Sequence, residues 1–190
     1  MTVEDDLIQW AAQCATSLLS PLGNCWLHLQ GVVGRAKEVG GILSQYDRPY
    51  FIAAAYLHDI GYAPELQKTG FHPLDGALYL RSLGKERLAS LVAHHSEARF
   101  EARLRGCEAE LASFPRERSA VADALTYCDL TTDPMGECIS LKERAKEVSA
   151  RYGESDVVAQ ALRLSIPYVG LAIARTERRL RLHALSTSRS

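Results

Sequence analysis

The sequence predicts an all-α single domain. Three observations lead there. Apolar residues recur at helical spacing over almost the whole chain, strand signals are nearly absent, and no repeat, low-complexity stretch or linker divides the 190 residues. Residues 4–19 read as an amphipathic helix stopped by Ser20-Pro21. Residues 24–38 form a second helix, with Trp26, Leu29, Val33 and Ala36 on one face and Gly40-Gly41 as the stop. Asp47 reads as the N-cap of a third, with Pro49 in its first turn; it runs to about Asp59 and stops at Gly61. Residues 73–83 and 85–95 give two short helices parted by Gly84, and a polar helix covers 97–112. Pro115 opens a helix to about Asp129. Ser140-Leu-Lys-Glu143 is a capping box, so a helix starts there and ends near Gly153. The last helix begins at about Asp156, with a kink expected at Pro167 and fraying over 183–190.

Composition narrows the class. Hydrophobic residues are 47% and charged residues 24%, ordinary globular usage, which excludes disorder and coiled-coil composition. A formal net charge of −1 argues against a nucleic-acid partner, which favours a strongly basic domain. The longest apolar runs, 51–57 and 166–174, fall short of the roughly 20 residues of a membrane span. The acidic opening MTVEDD carries no basic region followed by an apolar one, so the expectation is a soluble cytoplasmic protein. The five cysteines have no CxxC pair, which points to free, buried thiols rather than a disulfide framework or a thiolate zinc site. Arg175, Arg178, Arg179 and Arg181 form a basic end to the last helix; this suits a phosphate-bearing partner, but also a solvated face at a helix C-terminus.

The informative residues are polar ones on apolar faces. His58 follows Phe51 and Ala55 inward along the third helix. Asp59 sits at that helix's C-terminus, where the dipole disfavours an anion, and Asp129 ends the Val121/Leu125 stripe in the same way. A buried carboxylate needs a compensating cation. An arginine would serve, but five of the six histidines lie within residues 28–95 at helix ends or inward faces: His28, His58, His72, His94 and His95. Nitrogen and carboxylate donors without thiolates, drawn from separate helices, suit one or two divalent ions of Mn, Fe, Ni or Zn, with Mg possible, inside a helical bundle.

The order of these residues resembles the HD superfamily of metal-dependent phosphohydrolases: His28 (WLHLQGVVGRA), His58-Asp59 (AAAYLHDIGY) and Asp129 (ALTYCDLTTDP), over roughly residues 20–135. His72, in H-x-x-x-G-A with Gly76 and Ala77, and the pair in VAHHS resemble the binuclear subgroups. Those include bacterial diadenosine tetraphosphate hydrolases, cyclic-di-GMP phosphodiesterases and di-iron oxygenases. The resemblance implies a helical bundle of the HD-domain type with a buried metal site, in which His28, His58, Asp59 and Asp129 bind one metal. A second metal would fall to Asp59, His72 and either His94 or His95, with Asp59 bridging. SEARFEA, after the pair, lacks the pattern of the cyclic-di-GMP group.

The function expected is hydrolysis of a phosphate ester or anhydride in a nucleotide or other small phosphorylated molecule, by a metal-activated water. Asp59, Arg35 and His94 are the catalytic candidates. Arg35, on the His28 face two turns on, and more weakly Lys68, Arg81 and Arg99, are the candidates for phosphate charge. Thr131 and Thr132 follow Asp129 and suit substrate contact or loop hydrogen bonding. The alternatives are a di-iron oxygenase and a non-catalytic interaction module. The apolar stripe over 155–182 suits packing on the domain or a homodimer contact.

Overall fold

The computed structural model describes residues 3–187. Helices α1 (Val3–Leu19) and α2 (Asn24–Val39) flank the break at Ser20-Pro21. Helix α3 (Asp47–Leu57) lies at the centre of the fold; Phe51, Ala53, Ala54, Ala55 and Leu57 have no exposed surface. The alanines explain that position. A helix that is apolar on every side must be covered on every side, and small side chains let α1 and α2 approach closely. Asp47 does not cap this helix: its carboxylate accepts from Ser44 Oγ at 2.9 Å and from Arg87 at 2.7 Å.

Helices α4 (His72–Ser82) and α5 (Glu86–Ala93) form an antiparallel pair across the left-handed Gly84 (φ 69°). The expected helix over 85–95 ends two residues early. Ser96 and Glu97 then take positive φ, 49° and 60°, and turn the chain sharply. The helix expected over 97–112 divides at left-handed Gly106 (φ 75°) into α6 (Arg99–Arg105) and α7 (Glu108–Ala112). Helix α8 (Ala120–Leu130) starts five residues after Pro115, with Ser119 Oγ accepting from the Ala122 amide at 3.3 Å. Residues 115–118 stay out of the helix because side chains anchor them: His94 Nε2 bonds the Phe114 carbonyl at 2.8 Å, and Arg87 holds Glu117 at 2.9 Å.

The capping box forms as expected and opens α9 (Leu141–Tyr152). Helix α10 (Val157–Thr187) continues through Pro167 and packs on α8, α6 and α9. Residues 183–187 are helical, and the rest of the tail expected to fray lies outside the described residues. By length and composition alone α10 is apolar enough to cross a membrane, a property that core helices share. The run-length reading missed it because charged residues interrupt the stripe. Among the described residues β structure is limited to one bridge, Thr132 with Cys138. All five cysteines are free, but only Cys128 is fully buried and Cys138 is exposed.

Candidate metal centre

The site is built at helix ends. The C-terminus of α3 delivers His58 and Asp59, that of α8 delivers Asp129, the N-terminus of α4 delivers His72, and the turn after α5 delivers His95. His28 reaches in from the second turn of α2. Two close approaches of backbone make this convergence possible. Gly61 lies against α4, where a β-carbon would stand 2.0 Å from the His72 carbonyl oxygen. Gly31 lies against the 133–136 turn, where a β-carbon would stand 2.4 Å from the Gly136 oxygen.

Asp59 sits between two sets of imidazoles. Its Oδ2 lies 3.4 Å from His58 Nε2 and 4.0 Å from His28 Nε2; its Oδ1 lies 3.3 Å from His72 Nε2 and 3.9 Å from His95 Nε2. Asp129 Oδ1 accepts from or approaches His28 Nε2 at 3.1 Å and lies 4.0 Å from His58 Nε2. Donor atoms therefore cluster as His28, His58 and Asp129 on one side, and as Asp59, His72 and His95 on the other. All but His72 are buried.

The outer partners of the rings define their chemistry. His28 Nδ1 faces the Asp133 carbonyl at 3.0 Å, His58 Nδ1 that of Ala55 at 2.9 Å, and His95 Nδ1 that of Val92 at 2.7 Å. A carbonyl only accepts, so each Nδ1 carries a proton and each Nε2 is the ring atom turned towards the carboxylates, free to serve as a ligand once deprotonated. His58 Nε2 is buried and makes no hydrogen bond despite its nearness to Asp59. The Nε2 atoms of His72 and His95 face each other at 3.3 Å. Lone pairs and carboxylates converging on shared points fit a divalent cation on each side of Asp59.

The electrostatics agree. Burial would raise the Asp59 carboxyl, but His58 and His72 outweigh it and hold it well below the carboxylate range. Burial likewise opposes His28 and His58 at Asp129, which is also held low. Against its own burial, His58 is drawn up to about 9 by Asp59 and Asp129, whereas burial with His72 and His58 pushes His95 down to about 4. Two persistent anions in a buried pocket demand positive charge, and a metal supplies it without protonating a ligand.

The geometry separates the paired histidines. His95 enters the cluster; His94 turns the other way, with Nε2 on the Phe114 carbonyl at 2.8 Å. The left-handed step at Ser96 and Glu97 follows directly, and Ser96 Oγ donates to Asp129 Oδ2. The cationic candidates also lie elsewhere. Arg35 rests over the Tyr127 ring, 4.9 Å from its centroid, and donates to Cys138 Sγ. Arg81 holds Glu86 and Ser113 and lies 3.5 Å from the Phe114 centroid, and Lys68 is solvent-exposed. Arg99 pairs with Glu97 at 2.7 Å and faces a different cleft. Thr131 and Thr132 bond the Tyr127 and Cys128 carbonyls of their own helix, at 2.5 and 2.7 Å.

The cations that do line the metal cleft come from α9. Arg144 and Arg151 stand one above the other on a single face, sharing Glu147 at 2.6 and 3.1 Å. Arg144 is buried, and its Nε has no partner. Tyr62, stacked on His72 at a centroid distance of 4.0 Å, and Tyr152 complete the mouth. Beside it, a recess of about 310 Å3 extends between Leu22, Asn24, Pro134 and the two tyrosines.

Comparison with family models matches residues 26–131 to the HD domain. That span covers more than half of the chain. The chain belongs to the HD domain family. The family lies within a superfamily of metal-dependent hydrolases, and the matched span contains all six residues of the cluster. Comparison with curated proteins and with solved structures returned no match. Arg144 and Arg151 fall outside the matched span, on α9.

Proposed function

We propose that this HD domain protein is a phosphohydrolase with two metal ions, cleaving a phosphate ester or anhydride of a nucleotide or another small phosphorylated molecule. The observation that carries the reading is Asp59, whose two oxygens address two different imidazole sets. Bound divalent ions would supply Lewis acidity towards a phosphoryl oxygen and acidify water at neutral pH. His28, His58 and Asp129 would hold one ion and His72 and His95 the other, with Asp59 between them.

The remaining work falls to the chain's own groups. Backbone carbonyls fix the three ring orientations and aim Nε2 at the carboxylates. Ser96 orients Asp129. Arg144 and Arg151 share one carboxylate between two guanidiniums, which leaves positive charge at the cleft for phosphate oxygens. The recess behind Tyr62 and Tyr152 offers an apolar wall and the Asn24 amide to the rest of the substrate. The arginine pair favours an anionic substrate.

The test is metal content per chain after purification without chelator, joined to phosphate release from a panel of nucleoside mono-, di- and triphosphates. About two equivalents of Mn, Fe, Ni or Zn with phosphate release supports the proposal. About one equivalent confines the site to His28, His58, Asp59 and Asp129. Uptake of no metal, or oxygen consumption by the iron form without phosphate release, overturns it.

A further inference from the structure

The arginine-rich end of α10 is not part of the metal site. It meets the 115–119 segment and the turn after α5 at a second cleft of about 650 Å3, on the side of that turn from which His94 projects. Glu97 lines both clefts and forms the wall between them.

The charge pattern of this cleft is unusual for a solvated surface. Two carboxylates each serve two guanidiniums. Asp123 accepts from Arg175 at 2.6 Å and from Arg179 at 3.0 Å; Glu97 accepts from Arg99 at 2.7 Å and from Arg116. Each group of three retains one positive charge. Glu117 shares Arg87 with Asp47, a group that carries one negative charge, so it offsets one of the two and leaves the cleft positive. Arg118 adds a further charge, being exposed and without an ion-pair partner among the described residues. The first turn of α8 faces the same space and contributes the positive end of its dipole. Beside the charges lie two exposed apolar side chains, Tyr168 and Leu171, with the Arg99 guanidinium over the Tyr168 ring.

A concave space of this size, with surplus guanidinium charge on one side and an aromatic shoulder on the other, fits a small molecule bearing phosphates and a planar or apolar portion. We propose that this cleft is a second binding site, for a phosphorylated small molecule, separate from the metal centre and sharing only the Glu97 wall with it. The proposal does not rest on the hydrolase reading, because it invokes neither the metal nor its ligands.

The experiment uses the full chain stripped of metal and dialysed free of chelator, titrated with inorganic pyrophosphate in a calorimeter. Binding is expected in the wild type. It should weaken at least about tenfold in Arg118→Glu and in Arg175→Ala, as for loss of a charge-assisted contact. Arg178→Glu, exposed on the same helix but outside the cleft, should leave it within about twofold. Arg118 has no ion pair to lose among the described residues, so its variant should keep the fold, as circular dichroism would verify, and remains decisive if Arg175→Ala unfolds. Absence of binding at millimolar pyrophosphate, indifference to Arg118→Glu, or an equal loss in Arg178→Glu overturns the proposal. An oligonucleotide bound more tightly and lost in the same variants would also overturn it, by giving the cleft to a nucleic acid.

Discussion

Replacing Gly61 by alanine should damage the fold and the metal centre together. The added β-carbon would stand 2.0 Å from the His72 carbonyl oxygen and 2.8 Å from the Gly76 amide nitrogen, whereas ordinary contacts begin near 3.4 Å. Both neighbours are backbone, so no side chain can swing aside. The turn after α3 and the first turn of α4 would have to part by about 1 Å or more, in an interior packed like a crystal. Overpacking of this kind costs about 3 kcal/mol, at the upper end of its usual range because the obstruction is rigid. For a chain of this length that lowers the melting temperature by about 6–12 °C. The displaced residues are themselves donors: His72 starts α4, and Asp59 lies two residues before Gly61. The variant should therefore lose the ion on the His72 side, falling from about two equivalents to about one. Differential scanning calorimetry and elemental analysis on the same preparation read both effects. A variant that melts within about 2 °C of the wild type, with its metal intact, would refute the packing argument.

Asp59→Ala should abolish metal uptake and turnover while the helical circular dichroism spectrum survives; a mutant that keeps both would remove Asp59 from the centre. Arg144→Ala should lower kcat/KM by about tenfold to a hundredfold with metal content unchanged, which kinetics and elemental analysis on one sample would check. Arg87 holds the Asp47 and Glu117 carboxyls below their ordinary values of 3.8 and 4.5 by hydrogen-bonding their charged forms. That stabilisation is complete above those values and is lost as pH falls through the lower folded ones. Arg87→Ala should therefore cost about 1–2 kcal/mol near neutrality and flatten the acid limb of the stability curve. Melting temperatures measured across that range would show an unchanged limb if the pairs contribute nothing.

The metal centre was legible because its residues contradict their surroundings. A histidine or aspartate at the end of an apolar stripe is out of place in a core, so His58, Asp59 and Asp129 stand out from periodicity; His28 joins them as one of the clustered histidines and through the resemblance to the HD superfamily. The choice between His94 and His95 was not legible. It depends on left-handed backbone at Ser96 and Glu97, and neither residue is the glycine that would announce it. Arg35 shows the limit of reading a helix as a wheel. Seven residues return to the same face, but they also advance about 10 Å along the axis, beyond the reach of His28's neighbours. Arg144 and Arg151 have the same seven-residue spacing, in a helix whose start the capping box marks clearly. Which way that helix faces is decided by packing across the cleft, since only Val148 and Arg144 on it are buried. The helix expected from Pro115 failed for a related reason. Side-chain anchors from α5 and the turn after it hold residues 114–117 out of helix, and those partners are distant in sequence.

The placement of the ligands also bears on stability. Helices α3 and α8 both run towards the centre and end there in a carboxylate, so the negative ends of two helix dipoles and two anions meet in one buried space. Packing alone gives no reason for such an arrangement, since each of those terms opposes the others' approach. Protonated imidazoles relieve part of it, at His58 above all. A divalent cation relieves more, because it neutralises both carboxylates while the rings remain neutral ligands. A bound metal would then be a partner to the fold. Binding linkage makes the size of that effect depend on free metal: about 2.7 kcal/mol at one hundred times the dissociation constant. Helices α3 and α8, whose ends such a cation would join, are the elements through which that stabilisation would reach the core.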